Sequence, residues 1–192
     1  MNLQPSSSAS AASATSSPDA STSDAFAVQG KLNRELVHKT DVTNVFVASI
    51  NRTADTADGR ECFIAELDID RHHPFFFEHP LDHVPGLMLI EGTRQTGTAI
   101  SHRFYDVSHD LVFVLNALEV TFEHFAELHA PLSVRFVIVA KTYRHDRLAS
   151  LSCESQWLQF GRPLGTMNAR WSFSPPALLA RLRHAAKAGD IH

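Results

Sequence analysis

Glu91, Arg94 and Gln95 fall at i, i+3 and i+4 in a run made otherwise of Leu, Met, Ile, Gly and Thr, so on a helix they share one face. Two readings fit. Glu91 and Arg94 form a local ion pair on a solvent-facing stripe, or they are carried into an apolar helix because a site uses them, since charge is costly to bury. Just upstream, His72, His73, His79 and His83 lie within twelve residues. Metal binding needs convergent ligands held by an ordered second shell. His79 and His83 have ligand-like spacing only on a helix, which Pro80 and Pro85 oppose. No metal site is expected from this group, and no cofactor. A hydrogen-bonding or proton-transfer role at His79 or His83 fits better, against the alternative of a structural histidine in a buried loop. The third element is backbone. A helix opening at Pro85-Gly86 exposes unpaired N–H groups with partial positive charge. Such a terminus can polarise a thioester carbonyl and hold the oxyanion formed on attack, or it is an ordinary helix start.

These residues need elements to position them. The stretch 87–105 has no internal proline and carries apolar and small residues all round, which marks a helix buried in a core. Proline suits its first turn. Gly92 and Gly97 lower helix propensity but allow a sheet or ligand to approach closely. The flanking segments read as strands. An apolar run at 45–50, a polar turn at 53–60 and an alternating segment at 62–69, with Phe63, Ala65, Leu67 and Ile69 on one face, form a hairpin. Beyond the helix, 111–122, 132–143, 148–160 and 166–173 read as extended, with GRPLG (161–165) joining the last two and a polar loop or single turn joining the first two. A basic amphipathic tail after Pro175-Pro176 reads as a short surface helix. The order of two strands, one helix apolar all round, then four strands requires a curved antiparallel sheet wrapped around the helix. That is an α+β hot-dog fold. The unit occurs once, and its open sheet edge would be covered by self-pairing.

Residues 1–30 are Ser/Ala/Thr-rich and offer almost nothing apolar to bury, so they read as a disordered tail without the features of a signal peptide. The hot-dog domain is expected over 31–176 and the helical tail over 177–192. A net charge of −4 and the lack of any Lys/Arg-rich block argue against a nucleic-acid partner. No apolar run reaches the ~18–20 residues of a membrane span. Cys62 and Cys153 are too few and too far apart for a disulfide framework, so a reducing, cytoplasmic setting is expected.

The segment RHHPFFFEHPLDHVPGLMLIEGTRQ (71–95) strongly resembles the core motif of the A-factor biosynthesis (AfsA-type) hot-dog family, and VHKTDVTNVFVASI (37–50) is similar to that family's opening strand. The resemblance covers 37 to about 173. A weaker likeness extends to the hot-dog dehydratases of fatty-acid synthesis, whose PG, acid and Gln spacing is matched by Pro85-Gly86, Glu91 and Gln95. In those dehydratases a histidine precedes the PG by a slightly longer spacer than His79 does here. The family resemblance implies transfer of a β-ketoacyl group from an acyl carrier protein (or coenzyme A) thioester to a hydroxyl of dihydroxyacetone phosphate, in making γ-butyrolactone or butenolide signals. Glu91 matches the acidic position expected to act as general base. Arg94 matches the basic position suited to the acceptor's phosphate, and the Gly86 N–H would hold the thioester carbonyl. His79, His83 and Gln95 are the remaining candidate substrate contacts. Better-known members of the family carry two tandem units, so a single unit is expected to form a homodimer. A thioesterase or 3-hydroxyacyl dehydratase using the same pocket, or a non-catalytic acyl-binding subunit, are the competing readings.

Overall fold

The computed structural model describes residues 30–188. The Ser/Ala tail, save its last residue, and the last four positions lie outside the described residues. Two short 3-10 turns, Arg34–Val37 and Val42–Asn44, open the domain and were not expected from the sequence. They are followed by β1 (Val47–Arg52), β2 (Cys62–Leu67), the helix α1 (Gly86–Tyr105), β3 (Val112–Phe122), β4 (Leu132–Arg144), β5 (Arg147–Gln159), β6 (Arg162–Ser174) and the helix α2 (Pro176–Ala188). The six strands form one sheet in the order β1-β2-β4-β5-β6-β3, antiparallel at every pairing. Helix α1 packs on this sheet, so the hot-dog architecture is as expected. Among the described residues no helix is long and apolar enough to cross a membrane.

The helix is swallowed because its small residues let the sheet come close. A Cβ on Gly97 would stand 2.8 Å from the Trp171 ring and 3.2 Å from Phe136, and one on Gly92 would meet Leu67 at 3.1 Å. Around them Phe63, Phe136, Trp157, Met88 and Ile100 are fully buried. Each of these large side chains contributes about 1.5–3 kcal/mol relative to exposure. Polar groups on α1 turn inward with hydrogen-bond partners: the Thr93, Thr96, Thr98 and Ser101 hydroxyls each donate to the carbonyl four residues back.

Five strands lie within two residues of their expected bounds, and β6 runs longer. β6 starts at Arg162, four residues before its expected beginning, because the connection from β5 is only Phe160-Gly161. Both residues have positive φ, 53° and 72°, the combination whose twist matches that of the flanking strands. His145-Asp146 joins β4 to β5 in the same way, with φ of 48° and 61°. β1 and β3 are the free edges of the sheet. β3 is the more apolar of the two, exposing 56% of Leu115, 43% of Leu118 and 52% of Phe122.

Candidate active site

Glu91 sits in the second turn of α1, facing the 3-10 turns that precede β1. Its carboxylate accepts from Arg94 through Nε and Nη2 at 2.7 and 2.8 Å, from Lys39 Nζ at 2.7 Å and from Gln95 Nε2 at 3.0 Å. Burial opposes its ionisation, but hydrogen bonds and charge from Arg94, with further hydrogen bonds from Lys39 and Gln95, outweigh it and hold the carboxyl at about 2. The ion pair expected from the i, i+3 spacing is therefore present, and it is half-buried rather than on a solvent-facing stripe. Arg94 is held further by the Val37 carbonyl at 3.2 Å and the Thr98 hydroxyl at 3.3 Å.

Gln95 is fully buried and serves as a clamp. Its Oε1 accepts from the Phe46 N–H at 2.8 Å, and its Nε2 donates to the Asn44 carbonyl at 2.7 Å as well as to Glu91. It thereby ties the entry to β1 onto the helix and orients the Glu91 carboxylate. Lys39, which completes this group, carries no local signal in the sequence. It is an ordinary surface-type lysine until the chain folds it against α1.

The start of α1 lies in a separate recess. Pro85 occupies the N-cap position with no side-chain cap, so the first-turn N–H groups at Gly86 and Leu87 keep their donor capacity. Gly86 lines a cleft of about 390 Å³ together with His83, Leu89, Phe122 and Phe125. Here glycine is required by space: a Cβ would fall 2.8 Å from Cζ of Phe122, whose ring stacks on Trp157 at 5.4 Å. His83 Nδ1 is bonded to the Asp82 carboxylate at 2.7 Å and its ring packs on Phe125, while an isolated bridge to Glu127 fixes its backbone. The hydrogen bond from His83 holds the Asp82 carboxyl below its ordinary value. His79 stands exposed in the loop before α1.

A second, narrow pocket of about 80 Å³ runs between α1 and the sheet, lined by Arg94, Thr98, Phe113, Phe136, Cys153 and Trp171. The Trp171 indole N–H is buried and has no hydrogen-bond partner among the described residues. Buried donors are almost always paired, and this one is an exception. The structure thus sorts the sequence candidates into different surroundings. Gly86 and His83 share the cleft, Arg94 borders the apolar pocket, and Glu91 and Gln95 face the 3-10 turns.

The profile of the A-factor biosynthesis hotdog domain matches residues 20–175. A 2-oxo-3-(phosphooxy)propyl 3-oxoalkanoate synthase of Streptomyces virginiae is 39% identical over 66 residues, 34% of this chain and 20% of that protein. The synthase of the same name from Streptomyces griseus is 44% identical over 43 residues, 22% of this chain and 14% of the relative. The alignments thus span a fifth or less of these relatives' own length. Among solved structures, the dehydratase heterocomplex ApeI:P of Xenorhabdus doucetiae superposes with a TM-score of 0.57 at 18% identity, over 78% of this chain and 94% of that one. A candidate thioesterase, yhdA of Lactococcus lactis, gives 0.51 at 9% identity, over 68% and 94%. These two likenesses concern the fold. With the family profile covering the whole sheet and helix, the chain belongs to the A-factor biosynthesis hotdog domain family.

Proposed function

We propose that this protein transfers a β-ketoacyl group from an acyl-carrier-protein or coenzyme A thioester to a hydroxyl acceptor, dihydroxyacetone phosphate or a similar small phosphate, in making a butyrolactone- or butenolide-type signal. The observation that carries the reading is the uncapped Gly86 terminus of α1 opening into a cleft walled by Phe122 and Phe125. A thioester carbonyl seated there meets backbone donors at the point where negative charge develops on attack. The acceptor oxygen forms the new C–O bond, the C–S bond breaks, and the thiolate leaves to be protonated by the proton that the hydroxyl gives up.

Glu91 is ionised but weakly basic while Arg94 and Lys39 hold it. A phosphate on the acceptor competes for the same two cations. As they move to the phosphate, the carboxylate loses the charges that depress it and becomes able to take a hydroxyl proton. Because Glu91 and the Gly86 recess are separate within one chain, the thioester attacked is the one held at Gly86 of a paired second copy. Base strength would then depend on the presence of the acceptor, which limits wasteful hydrolysis. A second copy pairing along the apolar edge strand β3 would extend the sheet beside Phe122 and the cleft, giving a homodimer.

One observation favours a second reading. The Asp82–His83 pair beside Gly86 has the geometry to activate water, which would make the cleft a thioesterase. The test is thiol release from a β-ketoacyl thioester, with and without dihydroxyacetone phosphate, for wild type, Glu91→Gln and Arg94→Met. Acceptor-dependent release lost in both variants supports acyl transfer. Release indifferent to the acceptor and abolished by His83→Ala establishes hydrolysis, and acyl binding with no release means a binding subunit.

A further inference from the structure

Three histidines distant from the 72–83 group converge where the last turn of α1 meets the first 3-10 turn. His38 follows the turn Arg34–Val37 in the left-handed conformation, with φ of 56°. His102 is buried near the end of α1, and His109 lies in the loop before β3. One nitrogen from each lies within 4.8 Å of the other two. His38 Nε2 and His102 Nε2 are 2.8 Å apart, and the His102 and His109 rings stack at 3.9 Å with 10° between their planes.

We propose that His38, His102 and His109 form a binding site for a divalent transition-metal ion, zinc by ligand type, which staples the 3-10 turn to the end of α1. Three imidazoles suit zinc, with water in the fourth position. At Zn–N distances of about 2.0–2.1 Å, tetrahedral geometry separates neighbouring nitrogens by roughly 3.4 Å. The closest pair has to open by about half an ångström, and no pair has to close by more than about 1.4 Å. His109, exposed in its loop, has to supply the closing movement and also swing out of its parallel stack on His102, because an imidazole lone pair lies in the ring plane and two parallel rings cannot aim at one ion. The second shell is already present. His102 Nδ1 donates to the Val107 carbonyl at 2.5 Å, which fixes its tautomer and leaves Nε2 with a lone pair aimed at His38. Phe113 packs against both rings, at 4.7 and 5.1 Å, and limits their rotation.

His38 and His109 are exposed, so an ion has a path in. Binding would reach the Glu91 cluster directly. Val37, whose carbonyl holds Arg94, precedes His38, and Lys39, whose ammonium holds Glu91, follows it. An ion that fixes residue 38 therefore fixes both neighbours. Phe113 in turn lines the narrow pocket.

The site is tested on tag-free, chelator-treated full-length protein by calorimetric titration with Zn²⁺ and by the visible absorption of Co²⁺, which intensifies in tetrahedral coordination. The expected result is one ion per chain with a tetrahedral Co²⁺ spectrum. Affinity should fall about tenfold or more in His38→Asn and in His109→Ala, two exposed positions, and stay unchanged in His72→Ala and His79→Ala. Asparagine at position 38 tolerates the left-handed backbone. Absence of Zn²⁺ binding to wild type, binding that survives in the His38→Asn/His109→Ala double variant, or equal loss in His72→Ala would each overturn the proposal.

Discussion

Replacing Glu91 by Gln keeps the shape of the side chain and removes the charge that Arg94 and Lys39 surround. The folded carboxyl lies at about 2 against an ordinary 4.5. At about 1.4 kcal/mol per unit, the difference corresponds to about 3 kcal/mol of folding stability near neutral pH. That figure is an upper end, because the Lys39 and Arg94 side chains are 26% and 37% exposed and solvent screens them. The sign follows from a depressed folded value. The contribution is complete above pH 4.5 and is lost as pH falls from there toward 2. By pH 3.5 protonation of the unfolded chain removes about 1.4 kcal/mol of it. Urea unfolding of wild type and Glu91→Gln at pH 7 and pH 3.5 measures this, and other titrating groups cancel in the difference. The expected deficit is about 2–3 kcal/mol at pH 7, a fall of about 5–10 °C in Tm, shrinking by about 1.4 kcal/mol at pH 3.5. A variant as stable as wild type at pH 7, or a deficit that does not change with pH, would refute the claim that the Arg94–Lys39 cage sets the ionisation of Glu91.

Gln95→Ala leaves the Phe46 N–H and the Asn44 carbonyl without their side-chain partner in a fully buried place. The expected loss is about 2–3 kcal/mol in urea unfolding, and an unchanged midpoint would mean the clamp is dispensable. Gly97→Val drives branched carbons into Trp171 and Phe136, with an expected cost of about 1–3 kcal/mol read by thermal melting. A melting point equal to wild type would contradict the close approach of helix and sheet. Gly86→Ala pushes Phe122 off its stack on Trp157 and into the cleft. Tryptophan fluorescence should shift and thioester turnover should fall about tenfold, equivalent to ~1.4 kcal/mol of transition-state binding. Unaltered turnover would remove the cleft from the reaction.

The sequence by itself determined the order of elements, the burial of α1 and the pairing of Glu91 with Arg94. All of these depend on neighbours within a few residues: an alternation of two, a helical spacing of three, a proline at a helix start. It also carried the family, through the 71–95 motif and the 37–50 segment. It erred at the start of β6, where the tight Phe160-Gly161 turn lets the ladder begin at Arg162. Tertiary structure alone decided what surrounds the chemistry. Lys39 reaches Glu91 across 52 positions, the Val37 carbonyl meets Arg94 across 57, and His38 meets His102 across 64. Such separations leave no periodic trace, since nothing in the local chain requires a lysine or a histidine there. Only packing of the 3-10 turns on α1 turned a two-residue ion pair into a four-residue cage, and gave Gly86 and Glu91 different surroundings. The helix sets their spacing along the chain. Which neighbours each one meets is set by the sheet and the turns that enclose it.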